Sequence, residues 1–197
     1  MNKNRLEAFS DGVMAIIITI MVLELKVPHG TEYKDIEPLF PAFLAYVLSF
    51  IYVGIYWNNH HHLLQPVKHV NGKILWANLF LLFALSLLPF ATGWMGENHL
   101  DGLPVLVYGL VLFLASIAWL ILIEFIIREK GNDKIAQSLA KDMKIRKSSI
   151  IYAIAIAIAL FIPWVSCVIY ALVALYWFIP DKRMERVMKD DNEQTKD

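Results

Sequence analysis

Six apolar stretches run along the chain, each close to the roughly 20 residues that a helix needs to cross the hydrocarbon core of a bilayer. They are residues 5–27, 38–64, 74–95, 103–128, 148–163 and 164–180. Residues that favour turns, mainly proline, glycine and asparagine, lie between most of them. The pattern predicts an all-α integral membrane protein with six transmembrane helices per chain.

The division between the last two stretches depends on Pro163 and Trp164, because residues 148–179 contain no charged side chain. The basic residues decide between one kinked helix and two short ones. With six helices, all of the 18 Lys and Arg residues except Lys26 and Lys34 lie on one side of the membrane. Because cytoplasmic loops carry the excess of basic residues, we expect six helices with both termini in the cytoplasm. Five helices would leave the basic tail outside.

The composition agrees with a membrane protein. Hydrophobic residues make up 58% of the chain and charged residues 18%, and the mean hydropathy is +0.52. These values exclude an ordinary soluble domain. The single cysteine, Cys167, excludes an intrachain disulfide. We assign residues 1–180 to a six-helix transmembrane domain and residues 181–197 to a polar cytoplasmic tail that we expect to be disordered.

The loops on the opposite side of the membrane are acidic. Their acidic residues are Glu24, Glu32, Asp35, Glu37, Glu97 and Asp101. Only Lys26 and Lys34 balance them. Such a surface, with Glu24 closest to the first helix, enriches cations at an outer mouth. Ordinary solvated loops are the alternative explanation.

The first helix carries polar groups where the chain enters the membrane. At about 100° per residue, Glu7, Ser10 and Asp11 fall in one sector of this helix. An ionisable group in hydrocarbon is costly and indicates a functional or assembly site. Candidate partners at the same depth on helices two and three are Asn58, His61, His62, Gln65, Trp76 and Asn78. We expect a buried hydrogen-bond network that fixes helix one against helices two and three.

The opposite sector of the first helix is apolar except for one hydroxyl. It contains Ile16, Thr19, Ile20 and Leu23, together with Gly12. Lipid contact or helix packing explains such a stripe. Alternatively, it lines an oligomeric pore in which Ile16 and Leu23 form hydrophobic constrictions and Thr19 forms a polar ring.

Three consecutive histidines, His60 to His62, suggest a metal site at first. Neighbouring side chains on a helix diverge by about 100°, so the three cannot bind one ion, and no second cluster supplies the missing ligands. We therefore expect a structural or pH-sensing role, with no metal and no cofactor. The membrane-embedded residues contain no plausible pair of nucleophile and base, so we predict that the protein is not an enzyme.

A family resemblance rests on several motifs taken together. Arg5 begins the pattern R-x-x-x-F-S-D, which ends at Asp11 and leads into Gly12-Val13-x-Ala15-Ile16, Thr19 and Leu23-Glu24-Leu25. Further elements are Tyr56-Trp57-Asn58-Asn59-His60-His61, Trp76-x-Asn78-Leu79 and Ser86-Leu87-Leu88-Pro89-Phe90. The chain resembles the endolysosomal potassium channel family, in particular its bacterial single-repeat members.

The resemblance implies a potassium-permeable channel in which four copies of a six-helix chain surround one pore lined by helix one. By position, the pore-lining residues are Ile16, Thr19, Ile20 and Leu23. The same comparison by position with the family implies a supporting role for the pore helix, without lining the pore, for Arg5, Phe9, Ser10 and Asp11. The implied partners are further copies of the chain, the lipid bilayer and K⁺, with other monovalent cations also conducted and no nucleic acid bound. The implied location is the inner (plasma) membrane of a bacterial cell.

Two other functions stay open at the level of sequence. Asp11 and the histidines are compatible with a proton- or ion-coupled secondary transporter, although the chain shows no inverted repeat and no charge near the midplane. The chain is also compatible with a membrane scaffold protein that does not transport.

Overall fold

The computed structural model describes residues 3–129, 132 and 144–178. These residues form eight α-helices and one short 3-10 helix, and none of them lies in a β-strand. The α-helices are α1 (Lys3–Leu23), α2 (Tyr33–Ile36), α3 (Phe40–Leu64), α4 (Gly72–Ser86), α5 (Leu88–Glu97), α6 (Gly102–Arg128), α7 (Lys144–Ala159) and α8 (Pro163–Phe178). The 3-10 helix, Glu37–Leu39, joins α2 to α3.

The prediction of an all-helical membrane protein is confirmed. Within the described residues, four helical segments are long and apolar enough to cross a membrane, namely Lys3–Leu23, Tyr33–Leu64, Gly72–Glu97 and Gly102–Arg128. Helix α8 is shorter and also apolar. The predicted cytoplasmic tail, residues 181–197, lies outside the described residues.

The uncharged run near the C-terminus divides into two helices where Pro163 and Trp164 predict a break. Helix α7 ends at Ala159 and α8 begins at Pro163, which is tolerated in the first turn of a helix because its missing N–H has no intrahelical partner there. The Ser166 hydroxyl donates to the Ala155 carbonyl at 2.7 Å, and the Trp177 indole donates to the Ser148 hydroxyl at 2.8 Å. The two helices therefore lie antiparallel.

The third apolar stretch contains a break that its hydropathy does not show. Helix α4 ends at Ser86 and α5 starts at Leu88, with Leu87 between them. Pro89 causes the break, since it has no N–H and its ring would clash with the Leu85 carbonyl in a continuous helix. The segment still counts as one span by length and composition.

Polar contacts define the two ends of the bundle. At one end, which we call the basic end, Lys3 on α1 donates to the Gln65 carbonyl after α3 at 2.7 Å, and Asn71 before α4 donates to Glu129 after α6. At the other end, the acidic end, Lys26 after α1 forms an ion pair with Glu97 on α5 at 2.8 Å. Successive long helices therefore run in alternating directions, as a chain that crosses a membrane repeatedly requires.

Helix α6 lies at the centre of the hydrophobic core. It is in contact with α4, α5, α7 and α8, and its side chains at Val105, Leu112, Ala118 and Leu122 are fully buried. Helix α1 packs on α3, α4 and α5 through one stripe. That stripe is Leu6, Ser10, Met14, Ile17 and Met21. The opposite side of α1 is consequently left outside the core.

Helices α3 and α5 approach each other closely at Gly96. A Cβ atom at this position would lie 2.6 Å from the Ala42 Cα, and backbone cannot yield as a flexible side chain can. We expect Gly96→Ala to lower the stability of the folded protein by roughly 1–3 kcal/mol, the usual cost of overpacking. Thermal unfolding in detergent measures it. The matched control is Gly54→Ala on α3, where a Cβ meets nothing within 4 Å. Equal effects of the two substitutions would contradict the close approach.

Candidate functional site

Helix α1 presents its predicted pore stripe to the outside of the chain. Ile16 is 58% exposed, Leu23 is 81% exposed, and Thr19 and Ile20 are exposed as well. None of these four side chains belongs to the core formed by the described residues. The chain therefore leaves this stripe available for lipid or for other subunits, while the stripe through Met14 and Ile17 holds the helix in place.

The hydroxyl of Thr19 is partly engaged by its own helix. It donates to the Ile16 carbonyl at 2.8 Å. Local bonds of this kind are common for threonine in helices. Because the single hydroxyl proton is used in this bond, the lone pairs of the exposed oxygen can accept from water or coordinate a cation.

A buried chain of hydrogen bonds joins α1, α4 and α3. The Ser10 hydroxyl donates to the Leu6 carbonyl at 2.8 Å and accepts from the Asn78 amide at 2.9 Å. The Asn78 side-chain oxygen lies 2.7 Å from His60 Nε2. All three side chains are almost completely buried. We call Ser10, Asn78 and His60 the inner polar cluster, and it positions α1 on its two neighbours.

Asp11 lies beside this cluster and not within it. Its carboxylate accepts a hydrogen bond from the Trp57 indole at 2.9 Å, and the residue is exposed on the isolated chain. The reason is helical geometry: burial of Ser10 turns the next side chain by about 100°, to the edge of the α1–α3 contact. Trp57 in turn stacks on His61, with ring centroids 6.4 Å apart.

Several residues that the sequence places in the network lie elsewhere. Trp76 is 75% exposed, and Arg5 and Phe9 are also exposed. His61 is exposed beside Trp57, whereas Asn58 and His62 are half-buried. Among the described residues the Nδ1 atom of His62 has no hydrogen-bond partner. Of the three adjacent histidines, His60 is the one that reaches Asn78, because only its side chain faces α4.

Two contributors, Trp57 and His60, are absent from the network predicted from the sequence, although a structural or pH-sensing role is expected there for the three histidines together. A signal for them exists: Val53, Trp57, His60 and Leu64 are spaced by four, three and four residues, which places them on one face of α3. The described residues contain no group of three histidine, cysteine, aspartate or glutamate side chains that could hold a metal ion.

At the acidic end, Glu24 follows α1 directly. It is exposed, and its carboxylate would lie 3.7 Å from a Cβ placed at Gly93 on α5. The two lysines of this end are occupied, Lys26 by Glu97 at 2.8 Å and Lys34 by Glu32 at 2.7 Å. In the part of the chain that the structure describes, Glu24 forms no ion pair, so its negative charge is not neutralised locally.

Buried hydroxyl groups form a further polar region, between α3 and the helices α5, α6 and α7. The Ser49 hydroxyl lies 2.7 Å from that of Thr92 and 3.0 Å from that of Tyr108. Tyr152 donates to the Tyr52 hydroxyl at 3.2 Å. One chain therefore contains more buried polar groups than the apolar stretches suggest.

Comparison with known proteins gives consistent matches. A family model described as "Endosomal/lysosomal potassium channel TMEM175" matches residues 5–89. A protein of Chryseobacterium sp. (strain P1-3), named "Potassium channel HX13_20290", is 56% identical over 192 residues, which cover 97% of this chain and 100% of that protein. A protein of Streptomyces collinus, named "Potassium channel B446_29190", is 34% identical over 128 residues, or 60% of this chain and 62% of that one.

A solved structure agrees over most of the fold. It is the crystal structure of a lysosomal potassium-selective channel TMEM175 homolog from Chamaesiphon minutus, with a TM-score of 0.77 and 27% sequence identity. The match covers 90% of this chain and 96% of that one. With a relative that is similar over its whole length, a matching family model and a matching fold, this chain belongs to the TMEM175 channel family.

Proposed function

We propose that the chain is the subunit of a potassium-permeable cation channel that conducts passively. Support comes from the full-length relative that is named a potassium channel and from the fold shared with a potassium-selective homolog. The family is one of ion channels, which favours a function without enzymatic activity. The observation that carries the proposal within this chain is the outward stripe of α1, held in position by a buried stripe and the inner polar cluster.

The assembly we propose is a homotetramer of six-span subunits in the inner membrane of a bacterial cell. Helices α7 and α8 supply the fifth and sixth spans, and both termini lie in the cytoplasm at the basic end. This orientation is favoured by the distribution of Lys and Arg and by the alternating directions of the helices. A fourfold axis beside α1 brings four copies of the same stripe together.

In such a tetramer the stripe provides the conduction path. Ile16 and Leu23 lie seven residues apart, about 10 Å along the helix, and form two apolar rings that gate by dewetting. Thr19 lies between them and contributes a ring of four hydroxyl oxygens. Four unneutralised Glu24 carboxylates at the acidic end raise the local cation concentration. Potassium is the preferred ion, and other monovalent cations are conducted as well.

A cysteine scan of α1 tests the position of the pore. The native Cys167 is first replaced in the variant Cys167→Ala. Single cysteines are then introduced at the stripe positions Ile16, Thr19, Ile20 and Leu23, with Met14, Ile17 and Met21 as buried controls. A charged thiol reagent should block potassium flux in liposomes only in the stripe variants, because the control positions face the core.

The pattern of block decides the outcome. Block of the potassium flux at all four stripe positions, Ile16, Thr19, Ile20 and Leu23, supports a pore lined by this face. Cysteines at these positions that neither react with the charged reagent nor change the flux would show that the stripe contacts lipid instead. Block at the control positions would contradict the assignment of faces.

A further inference from the structure

A groove between α4 and α6 opens to the outside of the chain near the basic end. The side chains along it include Lys73, Trp76, Ala77, Phe80, Ile121 and Phe125. Its volume is about 680 Å³, which is the size of a site for an organic molecule, since such sites span about 300–1,000 Å³. No residue of α1 lines the groove, so it is separate from the proposed conduction path.

Both helices change from charged to apolar along the groove. On α4, Lys73, Trp76 and Phe80 are spaced by three and four residues and share one face. Helix α6 runs in the opposite direction, and Phe125 and Arg128 share a face on it three residues apart, with Arg128 at the basic end. Each wall therefore presents a cation at the basic end and aromatic side chains further in.

Lys73 is the one charged side chain among the residues that line the groove. It is exposed, and it forms no ion pair with any residue that the structure describes. Arg128 is paired with Glu124 at 2.6 Å, so its charge is already compensated. The carboxylate of Glu129 accepts from Asn71 and does not line the groove. An anionic group is consequently the complement of this end of the groove.

The length of the groove matches the change from water to hydrocarbon at a membrane surface. Lys73 and Phe80 lie seven residues apart, about 10 Å along α4. The headgroup region on each side of a bilayer is roughly 5–8 Å thick, so a groove that begins there at Lys73 reaches the hydrocarbon at Phe80. Trp76 lies between them and is 75% exposed, and tryptophan is enriched at membrane interfaces.

The groove faces away from α1. Asn78 bonds to Ser10 on α1, and Trp76 and Phe80 each lie two residues from Asn78, about 200° around α4. In the proposed tetramer, on which this step rests, the axis lies beside α1, so the groove opens toward the bilayer.

The occupant that matches these features is a lipid. Basic pockets between transmembrane helices bind lipid head groups. We propose that the groove is a binding site for one anionic phospholipid per subunit. Its phosphate group lies at Lys73, and an acyl chain packs along Trp76, Phe80 and Phe125.

Native mass spectrometry of the wild-type protein in detergent tests the proposal. The protein is titrated with phosphatidylglycerol, which is anionic, and with phosphatidylcholine of the same chains, which is zwitterionic. Phosphatidylglycerol should remain bound, up to one molecule per subunit, at about fivefold lower concentration, the effect expected for one lysine at a membrane surface.

The same spectrum gives the mass of the assembly, so the two proposals fail separately. A tetramer that retains both lipids equally overturns the lipid site and leaves the proposed channel standing. Selective retention of phosphatidylglycerol by an assembly of another size contradicts the proposed tetramer and not the groove.

A pair of lysine variants locates the site. Lys73→Gln should raise the concentration of phosphatidylglycerol needed about fivefold, to that of phosphatidylcholine. Lys147 on α7 is also exposed but does not line the groove, so Lys147→Gln should keep the wild-type preference. Equal losses in the two variants would show a general effect of surface charge and overturn the proposal.

Filling the groove tests the contact with the acyl chain. Ile121 is half-buried in its wall, and Ile121→Trp should weaken the retention of both lipids several-fold in the assembled protein. Unchanged retention would contradict the proposal. If Ile121→Trp loses the tetramer and the wild type shows no preference between the lipids, a neighbouring subunit occupies the groove and the proposal is wrong. The lysine pair decides alone if only the assembly of Ile121→Trp is lost.

Discussion

Replacing Ile16 with asparagine should raise the potassium flux of the purified channel in liposomes by on the order of tenfold, equivalent to a barrier lower by about 1.4 kcal/mol. The substitution places four amides where the proposed tetramer has an apolar ring. Such a ring closes a pore by excluding water, and polar side chains keep it wet. Because Ile16 is 58% exposed on the subunit, the amide enters no packed core, so the fold should be retained.

A matched substitution on another surface separates gating from a general effect of polarity. Leu172 lies on α8 and is 57% exposed, nearly the same fraction as Ile16. Leu172→Asn adds the same group outside the proposed pore and should leave the flux at the wild-type level. Unchanged flux in an assembled Ile16→Asn channel would remove this residue from the conduction path.

Replacing Asn78 with leucine should cause the largest loss of stability among the variants considered. Asn78 donates to Ser10 on α1 and accepts from His60 on α3, and all three side chains are buried. The substitution breaks both bonds and leaves two buried polar groups without this partner, at a cost of roughly 1–3 kcal/mol for each group. We expect a lower unfolding temperature and less recovered tetramer in size-exclusion chromatography.

Asn58 provides the control for this substitution. It is also an asparagine of the basic half of the bundle, but it is half-buried and takes no part in the inner polar cluster. Asn58→Leu should change the unfolding temperature far less than Asn78→Leu. The opposite order would favour the network expected from the sequence and contradict the cluster seen in the structure.

The sequence predicts the two faces of helix one because the helical period alone separates Ser10 from Ile16 and Leu23. It does not identify the correct histidine. His60, His61 and His62 are chemically identical and differ by about 100° in direction, so the choice depends on how α3 packs against α4. The pairing of Ser10 with Asn78 can be predicted from the sequence. Ser10 lies one or two turns from the start of α1, Asn78 lies one or two turns from the start of α4, and both helices start at the basic end.

Other features require the folded chain. The break at Leu87 follows from Pro89, yet hydropathy averages across it and gives one span. The buried hydroxyl groups are distributed over several helices, and partners such as Tyr52 and Tyr170 are 118 residues apart in sequence. Only α3 shows a local signal, since Ser49, Tyr52, Tyr56 and Asn59 recur with the helical period.

The reversal potential of the purified protein in a planar bilayer with unequal KCl concentrations tests the central claim most directly. A passive, potassium-permeable pore should give discrete conductance steps whose current reverses near the potassium equilibrium potential, without any proton gradient. Reversal near the chloride potential, or transport that saturates and requires a proton gradient, would contradict the account.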